Sequence, residues 1–186
     1  VRGLSGSGKY ALLGMINGLI SPSLGVVEIE GRPLQQFSRG ELRALRRRSM
    51  AMVFQSFAPF PQRSALENAA FGLEMAGIPR RHRLAKAQQA LERVGLGGDL
   101  HRKPEQLSGG TRQRAGLTRR LALDPPVLLM DEAFSALDPL IRSDMQDLLL
   151  DLQREHRRTI VFISHDLDEA VRIGDRIALM QDGRLL

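Results

Sequence analysis

Two stretches of this sequence carry residue types that could do chemistry together. The first is Leu128-Leu129-Met130-Asp131-Glu132, a short apolar run ending in two adjacent carboxylates and followed at once by Ser135-Ala136-Leu137-Asp138. In open α/β sheets the ligand crevice lies at the carboxyl ends of the strands, which is where these acids fall; the simpler alternative is a strand followed by a helix-capping acid. The second is Gly3-Leu4-Ser5-Gly6-Ser7-Gly8-Lys9-Tyr10-Ala11. Gly3, Gly8 and Lys9 fit the phosphate-binding spacing G-x-x-x-x-G-K, and Gly6 adds a further glycine inside it. Glycines let the backbone curl so that successive N–H groups point at phosphate oxygens, and the lysine adds a point charge.

These groups need a scaffold. The run before Asp131 is bounded by Pro125-Pro126 and reads as a strand buried on both faces of a parallel sheet. Ala11 to Ile20 supplies a helix whose N-terminus faces the phosphates. The loop also requires a strand in front of it, and only Val1-Arg2 precede it, so the first strands are expected to be missing. Met50 to Phe54 reads as a strand with Gln55 at its carboxyl end, where a Gln can orient water or complete a metal shell. Thr159 to Ser164 reads as another, with His165 at the same sheet edge as Asp131, Glu132 and Gln55. Leu107-Ser108-Gly109-Gly110-Thr111 opens a helix with a hydroxyl and two glycines, a second anion-receptive helix end. One nucleotide rarely needs two such ends from one subunit, so the second points to a neighbour's nucleotide.

One residue breaks the pattern. The position after Lys9 should hold Ser or Thr, whose short hydroxyl ligates Mg²⁺; Tyr10 stands there instead. A phenol oxygen sits far from its backbone, and Mg²⁺ demands near-ideal octahedral geometry. Backbone N–H groups at Tyr10 and Ala11 remain available to phosphate, but the metal-ligating hydroxyl is missing.

Composition narrows the class. At 186 residues, 42% hydrophobic and 26% charged, the chain is one ordinary globular domain's worth. It has no Cys, so there is no disulfide framework and no thiolate metal site, which fits a reducing compartment. No apolar run is long enough for a membrane span, and no signal peptide is visible. The net charge is +6, yet the bases are scattered and aromatics are 4%, too few for base-stacking platforms. Nucleic acid is not the expected partner. Ser38–Glu41 and Ser64–Glu67 are capping boxes, Gly77 ends the second helix, and Pro79 starts a basic amphipathic helix towards Gly95. Asp138-Pro139 caps a helix to about His156. Val26 to Glu30 and Ile177 to Met180 read as short strands, and Asp182-Gly183 as a turn.

The ordered set Gly3–Lys9, Gln55, Leu107–Gly110, Met130-Asp131-Glu132, Ser135–Asp138 and His165 resembles the nucleotide-binding subunit of ABC transporters across the whole chain. In finer detail, Ala51–Phe57, Asp131–Arg142 and Ile160–Ala170 look like the ATPase of glycine betaine/proline osmoprotectant importers. The resemblance implies an α/β P-loop NTPase core, a mainly parallel sheet flanked by helices, with a helical subdomain inserted over about residues 56–120; residues 1–186 would be a partial ABC ATPase domain. It implies ATP and Mg²⁺ as ligands: Lys9 and the loop from Gly3 through Ser5, Gly6, Ser7 and Gly8 hold the phosphates. Asp131 orients the Mg²⁺ shell, and Glu132 polarises the attacking water as general base. His165 contacts the γ-phosphate, and Gln55 senses metal and water while linking to a membrane subunit. Ser108, Gly109 and Gly110 close on the ATP of the opposite subunit, with Asp138 across the interface, so the working unit is a head-to-tail homodimer. A transmembrane permease is the direct partner and a substrate-binding protein an indirect one. The location implied is peripheral, on the cytoplasmic face of the inner membrane.

The sequence also departs from that family. The adenine-stacking aromatic that lies upstream of the loop in that family and the regulatory domains that often follow the core are expected to be missing, like the first strands. Arg120 replaces a usually small residue, and Thr111 stands where Gln is common. With Tyr10, these departures predict weak or no hydrolysis by the chain as given. Two alternatives follow: a nucleotide-binding module with little hydrolysis, or a non-transport ABC ATPase. For the latter, the interval from Gln55 to Leu107 is too short for the long coiled-coil arm of DNA-repair heads.

Overall fold

The apolar run ahead of the paired acids forms strand β4 (Val127–Asp131), the middle of a three-stranded parallel sheet ordered β3 (Met50–Val53), β4, β5 (Thr159–Ile163). The computed structural model describes residues 1–3, 6–54, 59–155 and 158–186. Alternate residues of a strand point to opposite faces. Leu128 and Met130 therefore join Val53 and Phe162 against Leu117 and Leu121 of α5 (Gly109–Leu121) and Met145 and Leu149 of α6 (Pro139–Glu155). Leu129 points the other way and packs with Ile163 on Leu13 of α1 (Lys9–Ile16). Leu128, Leu129 and Met130 are all 0% exposed, each worth about 1.5–3 kcal/mol of burial. Helices cover both faces, as a parallel sheet requires.

Val1 and Arg2 extend this sheet beyond β5. Arg2 bridges in parallel to both Ser164 and Leu179. Its N–H donates to the Ala178 carbonyl at 2.9 Å and its carbonyl accepts from the Met180 N–H at 2.7 Å. Two residues are enough to occupy the ladder position that the glycine loop needs in front of it.

The helix after the loop is shorter than its apolar stretch. The α1 helix stops at Ile16, Asn17 closes it, and Gly18 takes a φ of +69°. The N–H groups of Leu19 and Ile20 return to the Gly14 carbonyl, and the Asn17 side chain accepts from Leu19 N–H at 3.0 Å. An amide side chain that bonds backbone locally, followed by a left-handed glycine, ends the helix before Leu19. The expected strand over 26–30 likewise shrinks to β1 (Glu28–Ile29), paired with β2 (Arg32–Pro33) around a turn in which Glu30 and Gly31 both have positive φ.

Both capping boxes form, at the starts of α2 (Arg39–Arg48) and α3 (Ala65–Met75). The Ser38 backbone N–H, then its hydroxyl and Arg32, hold the Glu41 carboxyl down to about 2. The α3, α5 and α4 (Arg80–Arg93) helices enclose a second core of small and aliphatic side chains, among them Ala69, Leu73, Ala87, Leu91 and Ala115. A Cβ at Gly72 would lie 3.2 Å from the Arg119 carbonyl, so α3 and α5 approach closely there. The chain finishes with α7 (Leu167–Ile173) and an antiparallel hairpin of β6 (Met180–Gln181) and β7 (Arg184–Leu185). Among the described residues, no helix is long and apolar enough to cross a membrane.

Candidate active site

The glycine loop is built to receive an anion. Gly6 and Gly8 adopt φ of +79° and +94°, a left-handed backbone that favours glycine. Gly8 caps α1 without any side-chain hydrogen bond, so the first amides of the helix are not taken by a cap. Ser7 and Lys9 are buried. The Lys9 ammonium lies across the loop, donating to the Gly3 carbonyl at 2.7 Å and to Ser7 Oγ at 3.3 Å. A Cβ at Gly3 would sit 2.3 Å from the Met180 carbonyl oxygen, so no larger residue fits without backbone movement. Gly183 N–H donates to the Ser7 carbonyl at 3.1 Å. The β6–β7 hairpin is thus a wall of the loop, a role that a bare Asp-Gly turn does not announce.

The two acids stand beside it. Asp131 ends β4 opposite Ile163. Burial first, and then the Glu132 charge, push its carboxyl above the ordinary aspartate range, while Lys9 opposes the shift. Glu132 takes a φ of +45°, a conformation that costs a side-chain-bearing residue on the order of 1–2 kcal/mol. Its N–H donates to the Ile163 carbonyl at 3.0 Å, and its carbonyl accepts from Ser135 N–H at 3.1 Å and Ser135 Oγ at 2.8 Å. These bonds over-determine the strained residue and aim its carboxylate at His165, whose Nδ1 is 3.4 Å from Glu132 Oε2. Asp131, Glu132, His165 and the lysine loop therefore share one end of the sheet. Gln55 and Ser5 lie outside the described residues.

Tyr10 follows Lys9 in the first turn of α1 and is 64% exposed. Its side chain is mostly exposed to solvent, and a phenol oxygen sits far from the helix axis. Among the described residues no cluster of three or more His, Cys, Asp or Glu could hold a metal by itself. A Mg²⁺ ion is often held by one or two carboxylates plus phosphates and water. Asp131 fits that arrangement; Tyr10 does not.

The second helix end lies elsewhere. Ser108 caps α5, its Oγ accepting from Thr111 N–H at 3.2 Å and lying 2.7 Å from Thr111 Oγ1. Ser108 and Gly109 are exposed, and a Cβ at Gly110 would stand 3.2 Å from Ile141 Cδ1 of α6. Asp138 caps α6 by accepting from Ile141 N–H at 3.1 Å. Ser108–Gly110 and Asp138 thus border one surface around Ile141. None of them lines the cavity beside the glycine loop, which is formed by Arg2, Gly3, Gly6, Ser7, His165 and Met180 with their neighbours. Sequence reasoning missed the polar residues behind the site: Arg142, Gln146, Ser164 and Glu169. The only available signal was the spacing of Arg142 and Gln146, which places them on one face of α6.

A glycine loop closing on a helix end, paired acids at a parallel-strand edge and an inserted helical unit define a nucleotide-binding cassette. The profile of the ABC transporter family matches residues 1–135, and the chain belongs to that family. It is 58% identical over 186 residues to ProV of Salmonella typhimurium, the glycine betaine/proline betaine transport system ATP-binding protein, covering 100% of this chain and 46% of ProV. It is 55% identical to OpuAA of Bacillus subtilis, the glycine betaine transport ATP-binding protein, over 100% of this chain and 44% of OpuAA. The chain spans about half the length of these relatives. Among solved structures, the dimeric post-hydrolysis state of the ATP-binding cassette MJ0796 bound to ADP and Pi superposes with a TM-score of 0.82 at 34% identity, covering 99% of this chain and 81% of that one. CbiO1 from Clostridium perfringens, part of the ABC transporter complex cbiONQ, gives 0.88 at 29% identity, over 100% and 73%.

Proposed function

We propose that the chain is the ATP-binding and ATP-hydrolysing subunit that energises an ABC importer of glycine betaine/proline-type osmoprotectants. The observation that carries the hydrolytic part is the Glu132–His165 contact of 3.4 Å at the sheet edge that also holds Lys9. In this reading the loop amides and Lys9 bind the β- and γ-phosphates, Glu132 accepts the proton of the attacking water, and His165 holds the γ-phosphate. Asp131 orients the shell of a Mg²⁺ ion, which would supply charge neutralisation at the phosphates. Gln55 completes the site as metal and water sensor. Ser108, Gly109, Gly110 and Asp138 serve the ATP of a second copy, a reading supported by the lining of the chain's own loop cavity, to which none of them contributes, and by the dimeric MJ0796 cassette.

The solute is taken from the relatives' names; in the same reading a membrane-embedded permease is the direct partner and the subunit sits peripherally at the cytoplasmic face of the inner membrane. A groove lined by Leu19, Phe54, Phe60, Met75 and Arg119 offers the permease an apolar seat. A substrate-binding protein acts only through the permease. ATP-driven uptake of labelled glycine betaine into proteoliposomes holding the full-length protein with its permease tests this. Uptake lost on Lys9→Ala supports it; ATP-driven uptake that ignores glycine betaine contradicts the solute assignment. A second reading, a nucleotide-binding subunit with little hydrolysis, is favoured by Tyr10 alone.

A further inference from the structure

Behind Glu132 and His165 stands one guanidinium that the chemistry above does not use. Arg142, in the first turn of α6, donates from Nη2 to the carbonyls of Ser135 and Leu137, each at 3.2 Å. Ser135 is the residue whose N–H and hydroxyl clamp the strained Glu132. From Nη1, Arg142 reaches Asp166 Oδ2 at 3.7 Å. Asp166 directly follows His165, and its other oxygen caps α7 through the N–H groups of Asp168 and Glu169.

We propose that Arg142 is a positioning residue that holds Glu132 and His165 in register by tying the turn after the one to the residue after the other. A rigid fork suits this task, because its donors face two carbonyls and a carboxylate at once. A second strut lies one helical turn further along α6. Gln146 donates to Glu169 Oε1 at 3.1 Å, and the Ser164 hydroxyl, just before His165, donates to Glu169 Oε2. Ser164 Oγ in turn accepts from Asp166 N–H at 3.0 Å. Gln146, Ser164 and Glu169 are all buried, so this strut is fixed, whereas the Arg142–Asp166 link is partly open to solvent. The same turn of α6 carries Ile141, which faces Gly110, and follows the cap Asp138. The surface assigned to the second copy and the Glu132–His165 pair are therefore mounted on one helical turn, with Arg142 as the link between them.

The inference rests on the ATPase reading, and its test separates the two. Steady-state hydrolysis and nucleotide affinity are measured for the full-length protein in a Tyr10→Ser background, so that a slow parent does not hide the effect. Misplacing a reacting pair by about 1 Å costs up to about 100-fold in rate. Arg142→Ala is expected to lower kcat by about 10- to 100-fold while KM and ATP affinity stay within about twofold. Asp166→Asn keeps the α7 cap and removes the ion pair; combined with Arg142→Ala it should cost no more than Arg142→Ala alone. Arg142→Lys should restore part of the rate, since lysine reaches Asp166 but cannot fork to both carbonyls. If Arg142→Ala does not fold, the uncharged Arg142→Gln with Asp166→Asn completes the same cycle. Parental kcat in Arg142→Ala, or full additivity with Asp166→Asn, overturns the inference. A parent and a Glu132→Gln control that hydrolyse at the same rate overturn the ATPase reading and the inference with it.

Discussion

Glu132→Gln is expected to lower ATP hydrolysis by about 10²–10⁴-fold, the range a general base contributes, while ATP still binds. The substitution is close to isosteric. The bonds that hold residue 132 in its left-handed conformation involve its backbone N–H and carbonyl, with Ile163 and Ser135 as partners, so an amide side chain disturbs none of them. What it removes is the carboxylate 3.4 Å from His165 Nδ1, the proposed proton acceptor. Single-turnover hydrolysis alongside a fluorescent-nucleotide titration separates the two effects. An unchanged rate would remove Glu132 from the chemistry.

Tyr10→Ser is the second large effect, in the opposite direction. A serine at this position would offer a short hydroxyl as a ligand to a Mg²⁺ ion held with the phosphates, whereas the Tyr10 side chain is mostly exposed on the first turn of α1. Restoring one ligand of a metal that requires near-ideal octahedral geometry should raise Mg²⁺-dependent hydrolysis at least about tenfold. The rise should come with a lower Mg²⁺ concentration at half-maximal rate. Because the tyrosine side chain is mostly exposed, thermal stability should barely move. If the native chain already turns over rapidly and Tyr10→Ser changes neither rate nor Mg²⁺ dependence, the metal is held without residue 10.

Much of the fold was legible because its signals are local. A short apolar run between Pro125-Pro126 and two acids reads as a strand buried on both faces, and β4 is one. Ser-x-x-Glu spacing carries its own hydrogen-bond geometry, and both capping boxes form. The end of α1 was missed because hydrophobicity alone suggested Ile20, whereas the Asn17 side chain and Gly18 stop the helix first. The short β1 strand was over-read for a similar reason: Val26 and Val27 favour strand, but only Glu28 and Ile29 pair in the ladder, while the Val27 carbonyl accepts a single bond from Leu34 N–H. For the candidate site, the acids and His165 were legible as strand-end residues and Lys9 as part of the glycine loop. The docking of the β6–β7 hairpin on Ser7 and the Arg142 link were not, since each joins residues far apart in sequence and leaves no periodic trace.

The shared site is the claim on which hydrolysis and transport both depend, and sedimentation of the Glu132→Gln protein tests it most directly. In the proposed shared site, ATP left unhydrolysed by Glu132→Gln would hold the loop of one copy against Ser108–Gly110 of another. The expected result is a dimer with ATP and a monomer with ADP, and no ATP-dependent dimer when Ser108→Arg is added. A protein that binds ATP fully yet sediments as a monomer at every nucleotide concentration would contradict the shared site.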